Sequence, residues 1–155
     1  MRRLAVVFAF GVLMSSSLCV DSAAAQGRRF GLGVIAGEPT GISGKKWLGG
    51  GRAIDGAIAW AFTDETSLHL HGDFLLHKFD LFTVTEGSLP FYYGIGGRIR
   101  FDEEDSRVGV RIPLGLDYIF EGSRFDLFLE LVPILDLAPD TELNLNAGLG
   151  ARYFF

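Results

Sequence analysis

Four side chains able to bind metals or carry protons share one parity in a short stretch: His69, His71, Asp73 and His77. In an extended chain this spacing places them on one face, and imidazole with carboxylate suits zinc or copper. His69, His71 and Asp73 alone make a sparse ligand set on one strand, so no metal is assigned. Ser67 and His69 offer a nucleophile and a base on the same face, the pairing a hydrolase of membrane lipids would use. Such a pair needs a third group to orient the base, and the chain has no G-x-S-x-G motif. No catalytic residue is assigned, and the chain is read as a non-enzyme. The run Asp102-Glu103-Glu104-Asp105 has no base until Arg107. Hard cations take carboxylate oxygens, so this acidic rim is a candidate for calcium or magnesium, or for a basic extracellular protein. The plainer alternative is a solvated turn. The G-x-G spacings at Gly31-Leu32-Gly33 and Gly94-Ile95-Gly96 precede no helix and carry no dinucleotide signal.

The elements that must position these residues follow a period of two almost throughout. The terminal stretch Glu142 to Phe155 sets Leu143, Leu145, Ala147, Leu149, Ala151, Tyr153 and Phe155 against Glu142, Asn144, Asn146, Gly148, Gly150 and Arg152. Strands are also expected at about 29–37, 40–48, 51–62, 67–78, 91–101, 107–120 and 123–137, which makes eight. Each places bulky apolar residues on one face. The other face collects glycine and alanine with His69, His71, Asp73, His77, Arg98, Arg100, Arg111, Asp117, Asp126, Glu130 and Arg152. A narrow eight-stranded barrel has room inside only for small residues among its charges, and glycine on a water-facing wall would weaken the strands without benefit. Lipid outside and polar groups inside is therefore the expected arrangement. Arg98, Arg100, Arg111, Asp117, Asp126, Glu130 and Arg152 then form an interior charge network, read as a salt-bridged plug because unpaired buried charge is costly.

The chain opens with Arg2 and Arg3, an apolar run from Leu4 to Met14 and the small residues Ala23 to Ala25. This is the layout of a secretory signal peptide over 1–25, leaving 26–155 as one barrel domain. Cleavage would remove the single cysteine, and with it thiol chemistry. It would also take Lys plus Arg from 14 to 12 and Asp plus Glu from 19 to 18, a net charge of 12 − 18 = −6. That sign disfavours nucleic acid. No later run of eighteen apolar residues exists, so a membrane would be crossed by strands. Aromatic residues gather at one end of the strands: Phe30, Trp47, Phe79, Phe82, Phe91, Tyr92, Tyr93, Tyr118, Phe120, Phe125, Tyr153 and Phe155. Such belts mark membrane interfaces. The opposite turns collect acids: Glu38, Asp64, Glu65, the Asp102–Asp105 run, Asp140 and Glu142. Pro113 and Pro133 fall mid-strand, nearly opposite each other, where one shared bulge is expected. The stretch 80–89 is long for a turn, and an extended fourth strand is the expected reason.

The signal peptide, the eight alternating segments and the terminal Ala151-Arg152-Tyr153-Phe154-Phe155 resemble the small eight-stranded outer-membrane barrels, the group containing the OmpA transmembrane domain and OmpX. The resemblance implies an all-β, antiparallel, up-and-down transmembrane barrel in the cell outer membrane, without cofactor. It also implies Tyr153 and Phe155 as an assembly signal read by the barrel-insertion machinery, and outer-membrane lipids as surroundings. A monomer with a structural or surface-interaction role is expected. A lipid-modifying enzyme and an exported lipocalin-like carrier are the alternatives. The acid-rich turns are short, which argues against an adhesin.

Overall fold

The computed structural model describes residues 29–38, 40–61 and 67–155, so the expected signal peptide and Phe62, Asp64 and Glu65 lie outside the described residues. The strands are β1 (Phe30–Gly37), β2 (Thr40–Gly49), β3 (Arg52–Ala61), β4 (Ser67–Lys78), β5 (Phe91–Phe101), β6 (Ser106–Arg111), β7 (Leu114–Ile119), β8 (Phe125–Ala138) and β9 (Glu142–Phe154). Every pairing is antiparallel, and β1 closes on β9 with Gly31 facing Phe154 and Gly37 facing Gly148. β6 and β7 both lie between β5 and β8, so they are two halves of one strand and the ring has eight members. The fold is an all-β, up-and-down barrel, as the alternation predicts.

Strand stagger follows from the register. Leu32, Gly44, Gly56, Gly72, Gly97, Val110, Leu135 and Leu143 lie along one continuous rung. On the β9–β1 seam Gly148 faces Gly37, so this rung returns opposite position 42 rather than 32 and climbs 42 − 32 = 10 residues per circuit. Such a shear tilts the strands by roughly 40° from the barrel axis.

The faces fall as the sequence pattern predicts. Leu143, Leu145, Leu149 and Leu129 are 75, 60, 57 and 55% exposed on the outer wall, whereas Arg111 and Arg152 are each 1% exposed inside. The interior is less uniformly polar than expected. Ile35, Leu75, Tyr92 and Phe128 form an apolar cluster there, with Trp47 packed against it. Trp47 and Tyr92 therefore leave the expected interfacial belt: their positions have inward parity, shared with Lys45 and Gly94. Phe30, Phe79, Phe82, Tyr93, Phe120, Phe125 and Phe155 remain exposed at the end that carries both termini of the strand ring. Tyr153 packs between Phe125 and Phe155 at 5.1 and 5.2 Å.

The prolines act differently from expectation. They interrupt the sixth strand at Ile112–Pro113 without a bulge, because Arg111 faces Ile134 and Leu114 faces Leu131 in an unshifted register. Gly94 N–H still donates to Pro113 O at 3.0 Å, and Ile112 N–H to Pro133 O at 3.0 Å. Each proline forfeits one bond of one pair, toward different neighbours, so the loss is divided and the ring survives. The register shifts lie instead at Val108/Gly109 and Trp47/Gly49. Nor does the fourth strand lengthen into the 80–89 segment. That segment returns along β7, where Ser88 bridges Ile119 and the Tyr118 hydroxyl donates to Glu86 O at 2.9 Å.

Inward glycines make room for the interior aromatics. A Cβ on Gly150 would collide with the Phe128 ring and the Val34 carbonyl, and one on Gly115 with the Tyr92 ring. Outward Gly97 has only Gly109 O at 3.8 Å from an added Cβ. Gly150→Val is therefore expected to lower the urea midpoint of the refolded barrel by the equivalent of about 2–3 kcal/mol. Gly97→Ala should leave the midpoint near wild type.

Candidate functional site

The charged residues of inward parity meet inside the barrel in layers. Nearest the terminal end, β2 points Ser43, Lys45 and Trp47 inward. Lys45 Nζ donates to the Asp117 carboxylate and approaches His77 Nε2 at 2.9 Å. His77 Nδ1 lies 3.2 Å from Gly51 O. A neutral imidazole satisfies both contacts, Nδ1–H donating to the carbonyl and Nε2 accepting from lysine. Lys45 also stands 4.2 Å from the Trp47 ring centroid, so the ring face adds a cation–π attraction.

At a similar depth Arg152 is the hub of a second group. It faces Asp126 at 3.4 Å, Asp55 at 3.6 Å and the Phe128 ring at 3.8 Å. Its three nitrogens and both Asp126 oxygens make no directed hydrogen bond among the described residues. Charge attraction and ring stacking, rather than bond geometry, hold this group. The next is better directed. Arg111 Nε donates to Asp73 at 3.0 and 3.1 Å and Nη2 to Glu130 at 3.4 Å, while the Tyr92 hydroxyl donates to Glu130 at 2.9 Å. Arg98 grips Asp136 through two bonds of 3.0 and 2.6 Å, and Asn144 adds a third at 2.8 Å. At the mouth Arg100 donates to Asp102 at 2.7 Å, and Arg107 lies 3.7 Å from Asp102 and 3.3 Å from Glu142.

All seven members of the expected interior network thus lie within the barrel or at its mouth. The structure adds Lys45, Asp55, Tyr92, Phe128, Asp136 and Asn144. Lys45 was legible as the inward neighbour of Ser43 and Trp47, but the adjacent Lys46 obscured the alternation. Asp136 shares the parity of Asp126 and Glu130.

His69, His71 and Asp73 do not converge as ligands. Asp73 is engaged by Arg111, and His69 Nε2 is 3.1 Å from Ser67 Oγ. No cluster of three or more His, Cys, Asp or Glu side chains suited to a metal occurs among the described residues. Ser67 and His69 meet at hydrogen-bond distance, yet His69 stands opposite Arg100 across the β4–β5 ladder, and the nearby Asp102 is bound by that arginine. Among the described residues, no third group orients the base. The acidic rim is partly neutralised too: Asp102 is taken up by Arg100 and Arg107, leaving Glu103, Glu104 and Asp105 exposed.

No family profile matches the sequence, and no curated protein matches it. Among solved structures, the chain is similar to the N-terminal β-barrel domain of Pseudomonas aeruginosa OprF. The TM-score is 0.59 at 15% identity, covering 83% of this chain and 96% of that one. At that identity the likeness shows the barrel fold alone.

Asp117→Asn should strand the Lys45 cation in the interior and cost about 3–5 kcal/mol of unfolding free energy. The double change Lys45→Met with Asp117→Leu should cost much less, because no lone charge remains. Urea unfolding followed by tryptophan fluorescence reads both, since Trp47 lies against this pair.

Proposed function

We propose that the chain is an outer-membrane barrel that spans the bilayer as a monomer, keeps its lumen closed with ion pairs, and serves a structural or surface-interaction role without catalysis. The outer wall of exposed leucine, isoleucine and valine side chains carries this reading. Such a surface on a closed ring is suited to hydrocarbon, where the ladder satisfies the backbone polar groups apart from the two bonds the prolines forfeit. The OprF barrel likeness supports the same location. Exposed Glu103, Glu104, Asp105 and Asp140 at the far mouth offer a surface for divalent cations or a basic extracellular partner. Tyr153 and Phe155, packed edge to face at the end of the last strand, supply an aromatic pair that insertion machinery would read.

The lipid-hydrolase alternative rests on the Ser67–His69 contact. That contact faces a narrow interior lined by Arg98 and Arg100 on the facing strand, which favours the non-catalytic role. A lipocalin-like carrier would need an apolar lumen, and Arg152, Arg111 and Arg98 occupy it.

Two measurements test the proposal. On gels of detergent-extracted outer membranes, unheated protein should migrate apart from boiled protein, as intact barrels do; recovery in the soluble periplasmic fraction would contradict a membrane location. In planar bilayers the barrel should give no large steady conductance, and porin-like currents would contradict the plug.

A further inference from the structure

Unpaired positive charge is concentrated on one part of the outer wall. Lys46 on β2, Arg52 on β3 and Lys78 on β4 occupy outward positions of three adjacent strands, near the end that carries the strand termini. All three are exposed. The register sets Lys46 opposite Ile54, and Arg52 is two residues below Ile54. Arg52 in turn faces Leu76, and Lys78 is two residues below Leu76. Each cation is therefore one outward step further along its strand than its neighbour, while the rungs climb in the opposite sense. The two offsets nearly cancel, so the three cations stand at similar depth. None of them makes an ion pair among the described residues; Arg52 Nε–H donates only to Gly49 O, at 3.3 Å. Their surroundings on the wall are apolar: Leu48, Ile54, Phe74 and Phe79.

Three like charges side by side repel one another, and on an apolar wall water screens them poorly. Their long stems reach toward the interface, where an anion would relieve the repulsion. On these three strands and the neighbouring β5, farther into the wall, the rung Gly44–Gly56–Gly72–Gly97 leaves a furrow between bulkier rows. It opens into a recess of about 330 Å³ beside Leu70, Ile99 and Val108. The terminal end also exposes Asp80, Glu86 and Glu121 in its turns, but the other end is the more acidic, with Glu38, Glu103, Glu104, Asp105, Asp140 and Glu142 exposed. Phosphate would be repelled there.

We propose that Lys46, Arg52 and Lys78 form a headgroup site for an anionic glycerophospholipid of the leaflet at the terminal end, with an acyl chain lying along the glycine furrow. The inference rests on the membrane-barrel reading. The phosphate recruits the cations as point and fork donors, and the furrow admits a chain where side chains elsewhere on the wall would exclude it.

Native mass spectrometry of the full chain, refolded in detergent and offered phosphatidylglycerol, phosphatidylethanolamine or lipid A, tests this directly. Wild type should retain phosphatidylglycerol on the order of tenfold better than phosphatidylethanolamine. The triple variant Lys46→Gln, Arg52→Gln, Lys78→Gln should lose that preference, while Arg124→Gln, at the same end of the barrel but outside the cluster, should keep it. Equal retention of the two phospholipids by wild type, an unchanged preference in the triple variant, or stronger retention of lipid A would each overturn the site. A chain that stays monodisperse without detergent would overturn the barrel reading and the site together, which separates the two failures.

Discussion

Closure of β1 on β9 is the constraint from which the other features follow. An open sheet would leave two edges of unpaired N–H and C=O groups, which hydrocarbon cannot solvate. Closing the ring removes both edges and divides all side chains into two populations that cannot exchange, because a slip of one residue in a strand would turn every side chain of that strand to the wrong face. With eight strands the enclosed space is narrow, so whatever points inward must be small or fit a specific neighbour. Gly150 admits Phe128 and Gly115 admits Tyr92 for this reason. The prolines obey the same constraint: their lost donors fall on different seams, and the register runs through them unchanged.

Once charge is enclosed, pairing becomes compulsory. Among the described residues Arg111 is the one cation paired with Asp73, and it reaches Glu130, which also accepts from Tyr92. Arg98 and Asp136 make a bidentate pair. These contacts bridge neighbouring and next-but-one strands, and the Lys45–Asp117 pair joins β2 to β7 on the opposite side of the ring, so the interior ties strands that the ladder does not pair. The Arg152 group differs. It is held by charge and by the Phe128 ring instead of by directed bonds, and it is the least geometrically fixed part of the plug. The same pairings account for the histidines. Asp73, which sequence spacing offers as a metal ligand, is committed to an arginine two strands away, and strand parity cannot show that commitment.

Parity made most of the fold legible in the sequence: the eight-membered ring, the inside-out arrangement and the inward set from Arg98 to Arg152. It could not show partner choice, because pairing across the lumen depends on shear, and shear emerges only from the register. Lys45 shows a second limit. Its strand reads poorly because Lys46 follows it directly, yet one lysine turns in to Asp117 and the other out to the wall. Consecutive charges on a strand carry opposite meanings, and composition alone merges them. Tyr92 and Trp47 show a third. Aromatics near a strand end suggest a belt, but inward parity sends these two to the core.

The most direct test of the inside-out wall is a nitroxide scan along β9 after reconstitution of the full chain in lipid vesicles. Labels at Leu143, Leu145 and Leu149 should be relaxed by dissolved oxygen and shielded from a water-soluble nickel chelate. Labels at Asn144 and Asn146 should show little oxygen access, giving a period of two along the strand. Oxygen access without that alternation, or nickel access at the three leucines, would contradict a hydrocarbon-facing wall.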